Sequence, residues 1–192
     1  ISGDAASILT SERLALNLMQ KMSGIATNTH YAVKQVEGYK AKIADTRKTT
    51  PGLRVFEKYA VKTGGGSNHR FNLADGVLIK DNHIKAAGSI TNAITSARLN
   101  APHTLKIEVE VETIDQLNEA LDAGADIIML DNMDNETMAQ AVSITGGRAI
   151  LEASGNMGEK DLKSVAATGV DIISIGALTH SVKALDISLK FY

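Results

Sequence analysis

The 192-residue chain is 44% apolar and 22% charged, with no cysteine and a formal charge of −2, the composition of a globular domain with an ordinary core. The lack of cysteine excludes a disulfide framework and any thiolate nucleophile or thiolate metal site. No apolar run reaches membrane-spanning length and aromatic residues make up only 4%, so neither a membrane nor a stacked nucleic acid is expected as a partner, and a cytoplasmic setting is the default.

In chain order, a helical lead-in is predicted over about residues 11–38. Ser11 would cap it, Leu14, Leu18 and Met22 would form its apolar stripe, and a second helical stretch, "THYAVKQVEG", would end at Gly38. Strands are then predicted in "KAKIADT", "GVLIKD", "LKIEVEV", "ADIIMLDN", "RAILEAS" and "VDIISIGA". The segments between them read as helices, several closed by glycine. Strand alternating with helix implies parallel strands and right-handed crossovers, hence an α/β barrel or doubly wound sheet. With about six or seven strands the barrel would be incomplete. No linker divides the chain, so residues 1–192 are expected to form one α/β-barrel domain.

Charge is unevenly placed. Residues 1–105 carry 14 basic side chains against 7 acidic, and residues 106–192 carry 6 against 15. Folded together, the halves would give a basic and an acidic side, which suits a small anionic ligand better than a polyanion.

The C-terminal ends of parallel strands form the ligand face of such folds. Here those ends are polar at every strand: Arg47 and Lys48, Lys80 and Asp81, Glu110, Asp131 and Asn132, Ser154 and Gly155, and Gly176. Arg47, Lys48 and Arg70 suit carboxylates, the arginines by two-pronged contacts. Glu110 and Asp131 suit Mg2+ or sugar hydroxyls. "SGNMGEKDL" is a glycine-containing loop entering a helix, a setting that favours phosphate. Bland readings stand beside these. Glu108, Glu110 and Glu112 share one face by period two, which is also the pattern of a solvent-facing strand. Lys80 and Asp81 could be a surface ion pair, and His30, His83, His103 and His180 are read as structural.

Taken together, "ERLALN", "DTRKTTPGLR", "GGGSNHRFNLADGVLIKDNHI", "IEVEVET", "IIMLDN", "LEASGN" and "ISIGALTHS" resemble the quinolinate phosphoribosyltransferase family over essentially the whole chain. The resemblance implies transfer of phosphoribose from phosphoribosyl pyrophosphate to quinolinate with loss of CO2, giving nicotinate mononucleotide in NAD biosynthesis, with Mg2+ as cofactor. Quinolinate would be held by Arg47, His69, Arg70 and Lys80, and by Arg13 reaching across a homodimer or higher homo-oligomer. Phosphoribosyl pyrophosphate would meet Lys48, Lys80, Glu110, Asp131, Ser154, Gly155 and Gly176. Lys48, Lys80, Glu110 and Asp131 would be the catalytic set, and Glu110 and Asp131 the metal ligands. Members of the family carry a further N-terminal domain that this sequence lacks, and the start at Ile1 rather than Met points to missing upstream residues. One departure is Asn156 where many relatives have a second glycine, a residue that tolerates left-handed backbone. The rival expectations are a barrel paralogue acting on another heteroaromatic acid, and a non-catalytic phosphoribosyl-ligand-binding core.

Overall fold

The computed structural model describes residues 1–190. Six parallel strands form one sheet: β1 Lys42–Ala44, β2 Val77–Ile79, β3 Ile107–Val111, β4 Ile127–Asp131, β5 Ile150–Ser154 and β6 Ile172–Ser174. Their spatial order is β1-β6-β5-β4-β3-β2, so the first strand pairs with the last. A parallel bridge from Ala44 to Ser67 adds a short seventh stave beside β1. Ser67 is held there by hydrogen bonds with Ile43 and Asp45 of 2.8 and 3.1 Å. The curve from this stave to β2 is spanned by a side chain, Arg70 Nη1 donating to the Gly76 carbonyl at 3.1 Å. The incomplete parallel barrel expected from the alternation is therefore present.

Both faces of the strands are covered. On β3, Val109 and Val111 are fully buried, while the alternate residues Glu108 and Glu110 point into the barrel. Glu108 is only 5% exposed, which overturns the solvent-face reading, and of the three only Glu112 is fully on the outside, Glu110 being partly buried. The outer core is aliphatic, with Ile43, Ile107, Leu117, Ile128, Leu130, Met138, Leu151 and Ile173 in a single cluster.

Helices α1 Ala5–Gln35, α2 Arg54–Thr63, α3 Asp81–Ala87, α4 Ile90–Asn100, α5 Ile114–Asp122, α6 Asn135–Thr145, α7 Leu162–Ala167 and α8 Ala177–His180 connect or flank the strands, with a 3-10 turn at Met157–Glu159. Helix α1 differs from the sequence reading. It is one continuous helix capped by Asp4, whose carboxylate accepts from Ser7 N at 2.8 Å, and Ser11 lies inside it with its hydroxyl turned back to the Ser7 carbonyl. Buried positions run mainly from Gly24 to Ala32, so the front half stands clear with Leu9, Leu14 and Met19 exposed. Gly24 interrupts no hydrogen bonding; it leaves room for the Lys183 carbonyl, which a Cβ there would meet at 2.3 Å. Strand β2 is also shorter than expected, because the Lys80 amide donates to His83 Nδ1 at 2.9 Å and Asp81 opens α3. No described helix is long and apolar enough to cross a membrane.

Candidate active site

At the C-terminal ends of the strands lies a cavity of about 820 Å³. Arg47, Lys48, His69, Arg70, Lys80, Glu110, Asp131, Ser154, Gly155 and Gly176 all line it. Of the residues that the family resemblance assigns to substrate or metal, Arg13 alone is elsewhere, exposed on the front half of α1. Asp81 faces outward, paired with Lys85 one turn on at 3.2 Å.

The cationic wall is assembled by residues that do not line the cavity. Asp45, at the end of β1, is fully buried and paired with the Lys58 ammonium. Its carboxylate also accepts from Asn68 Nδ2 at 2.6 Å and from the His69 amide at 2.8 Å. Lys58 Nζ in turn donates to the His69 carbonyl at 2.9 Å. A buried ion pair is tolerable only when its remaining valences are used, and here they are used to fix the backbone that carries His69 and Arg70. Arg54, from α2, donates to the Arg47 and Phe71 carbonyls at 3.2 and 3.0 Å, tying together the two loops that supply arginines.

The arginines themselves are not neutralised. Arg47 Nε is buried without a hydrogen-bond partner. Burial, and then the neighbouring charge of Arg47, push the Arg70 guanidinium below its ordinary range. Two adjacent cations with unused donors form a receptor for a compact anion bearing more than one acidic group.

Further round the rim, Lys80 from the end of β2 pairs with Glu110 of β3. Asp131 accepts from Asn132 Nδ2 at 2.7 Å. Asn132 and Asn156 both adopt positive φ, 55° and 50°. Between them Gly155 has φ 91°, and a Cβ there would fall 2.7 Å from the Asn132 amide nitrogen, so the β4 and β5 loops interlock only through glycine. Among the described residues the Gly155 and Asn156 amides have no hydrogen-bond partner, which leaves them free for an anion. Lys48 and His180 both pack against Gly176. Lining the cavity, His180 has a place that its structural reading did not give it. The Lys48 loop is anchored by Thr179, whose hydroxyl donates to the Lys48 carbonyl at 2.7 Å.

The cavity floor was not foreseen. Glu152 from β5 is 1% exposed and Glu108 lies beside it. His69 Nε2 sits 3.2 Å from Glu108 Oε2 and 3.5 Å from Glu152 Oε2. His69 Nδ1 accepts from the Arg70 amide at 2.9 Å, so the ring proton is on Nε2, facing the acids. Burial first, then the charge of Glu108, raises the Glu152 carboxyl to about 7. For His69, burial pulls the other way but is outweighed by its hydrogen bond to Glu108 and the charges of Glu152 and Glu108, so its affinity for a proton rises.

A parallel barrel with a cationic pair, rim carboxylates and a glycine loop around one cavity defines a site for small, multiply charged anions. The quinolinate phosphoribosyl transferase C-terminal domain matches residues 25–190, and the chain belongs to that family. It is 53% identical over 189 residues to the probable nicotinate-nucleotide pyrophosphorylase (carboxylating) of Bacillus subtilis, covering 98% of this chain and 65% of that protein. It is 47% identical to the nicotinate-nucleotide pyrophosphorylase (carboxylating) of Mycobacterium leprae, with 98% and 67% covered. The solved nicotinate-nucleotide pyrophosphorylase from Francisella tularensis superposes with a TM-score of 0.92 at 50% identity, covering 97% of this chain and 66% of that one. The chain thus spans about two thirds of the length of these relatives.

Proposed function

We propose that this chain transfers phosphoribose from phosphoribosyl pyrophosphate to quinolinate, with decarboxylation, to yield nicotinate mononucleotide, pyrophosphate and CO2 in NAD biosynthesis. The observation that carries this is the unneutralised arginine pair, Arg47 with a buried, unpartnered Nε and Arg70 held beside it. Two adjacent carboxylates on one ring match two adjacent guanidinium groups. His69 and Lys80 complete the wall and Arg13 is contributed by a second copy in a homodimer. The free amides at Gly155 and Asn156, with Ser154 and Gly176, receive the 5-phosphate. Residues 1–192 act as one barrel unit in this reading.

Catalysis is electrostatic. As pyrophosphate departs, positive charge grows on the ribose, and Glu110 and Asp131 on the rim favour it. Lys48 and Lys80 face the phosphates, and the arginines orient the ring nitrogen toward the anomeric carbon. Glu110 and Asp131 are hard oxygen donors that fit Mg2+, Asp131 having no cation within ion-pair distance among the described residues. When bound, the ion would neutralise the leaving pyrophosphate.

Arg47→Ala tests the reading. It removes a charge-assisted pair and leaves a desolvated carboxylate, so KM for quinolinate should rise at least about tenfold. KM for phosphoribosyl pyrophosphate should change far less. Unchanged quinolinate kinetics would defeat the assignment, and turnover of another heteroaromatic acid in a substrate panel would favour the paralogue.

A further inference from the structure

The cavity floor contains an acid that this reading leaves without a task. Resting on the proposed reaction, the chemistry needs a proton at one point. When the carboxylate beside the ring nitrogen leaves as CO2, the electron pair of the broken C–C bond stays on the ring carbon, and the product carries hydrogen there. The cations of the wall are committed to holding anions, and guanidinium groups do not give up protons under ordinary conditions. We propose that Glu152 is the acid that protonates this carbon.

Geometry carries the assignment. Glu152 lines the same cavity as Arg47, His69 and Arg70, the wall that faces the ring being decarboxylated. Its side chain is 1% exposed, which shields it from bulk water. Its Oε2 lies by His69 Nε2, while its Oε1 is buried without a hydrogen-bond partner, which leaves it the oxygen to carry the O–H. Burial first, then the Glu108 charge, raises the group to about 7, so a protonated fraction persists near neutrality. His69 is a positioning residue here: with Nδ1 engaged by the Arg70 amide, its Nε2–H faces and orients the acids.

The groups that face Glu152 are Glu108 from β3, His69 from the stave after α2, Lys80 from the end of β2 and the Ser174 hydroxyl from β6. Arg47, Lys48, Arg70, Glu110 and Asp131 line the same cavity. In the step, the Glu152 O–H bond breaks with its electrons left on oxygen, a C–H bond forms at the ring carbon, and water later reprotonates the carboxylate. One solvent proton is consumed per turnover.

The test is steady-state kinetics of the whole protein with Mg2+, comparing wild type, Glu152→Gln and Glu152→Asp in H2O and D2O. Glu152→Gln should lower kcat about 100-fold or more while KM for quinolinate stays within about threefold. The wild-type loss of kcat above about pH 7 should vanish in Glu152→Gln, and Glu152→Asp should restore part of the rate. A Glu152→Gln protein with near wild-type kcat overturns the proposal. So does one whose defect lies in quinolinate binding by calorimetry, with kcat preserved. Wild-type protein that releases neither pyrophosphate nor CO2 from the two substrates fails at the earlier step, and removes the reaction reading itself.

Discussion

Glu152 makes the clearest demand on the sequence at the scale of a single residue. "RAILEAS" reads as a strand, and nothing in it marks out the acid between Leu151 and Ala153, yet that acid is almost completely buried. A raised carboxyl also has a consequence for stability. The folded state binds this proton more tightly than the unfolded chain, whose carboxyl titrates near its ordinary value of 4.5, against about 7 when folded. The stabilisation is therefore complete below about 4.5 and is lost as pH rises through about 7. His69, raised as well, works in the same direction. Across that window the unfolding free energy should fall with a slope of up to about 1.4 kcal/mol per pH unit, and Glu152→Gln should flatten it. Denaturant melts at closely spaced pH values measure this directly.

At the scale of elements, the site depends on how β1, α2 and the Ser67 stave are fastened together. Lys58→Met leaves Asp45 buried without a cation, at a cost of about 3–5 kcal/mol. It also frees the His69 carbonyl, so thermal stability should drop by about 10 °C and quinolinate KM should rise in the folded fraction. A drop no larger than that of a surface lysine substitution would show that the pair is dispensable. None of this network was legible in the sequence, since Lys58 lies 13 residues and Asn68 23 residues from Asp45 and their meeting depends on the crossover. What could be read was periodicity and position. Six strands fell inside their predicted windows, and the polar residues at their ends converged on one cavity because parallel strands put like ends together. The helix boundaries were read less well. Ser11 carries the usual chemistry of a helix start, but Asp4 had already begun α1 about two turns earlier.

Across the whole molecule, the uneven charge of the two halves resolves into one cavity, with Arg47, Lys48, Arg70 and Lys80 from the first and Glu110, Asp131, Glu152 and Glu159 from the second. The two halves are also strapped together. After α8 the chain returns along α1, where Leu185 N donates to the Gln20 carbonyl at 3.0 Å and Gln20 Nε2 donates to the Ile187 carbonyl at 2.9 Å. Gly24→Ala would raise helix propensity by about 1 kcal/mol in an isolated peptide. In the folded protein its Cβ would strike the Lys183 carbonyl, so the substitution should destabilise the protein and expose residues 182–190 to limited proteolysis. A more stable variant with an unchanged digestion pattern would refute the strap.

The pairing of β1 with β6 sets a schedule for synthesis. A nascent chain emerging from the ribosome has its first strand early and must carry it, one edge unmatched, until the last strand emerges some 130 residues later. The loop after β1 that carries Arg47 and Lys48 is completed at the same late moment, when Thr179 reaches the Lys48 carbonyl. A translation product halted before residue 172 would display the arginines without a cavity to hold them, and its bare strand edge would be open to another polypeptide.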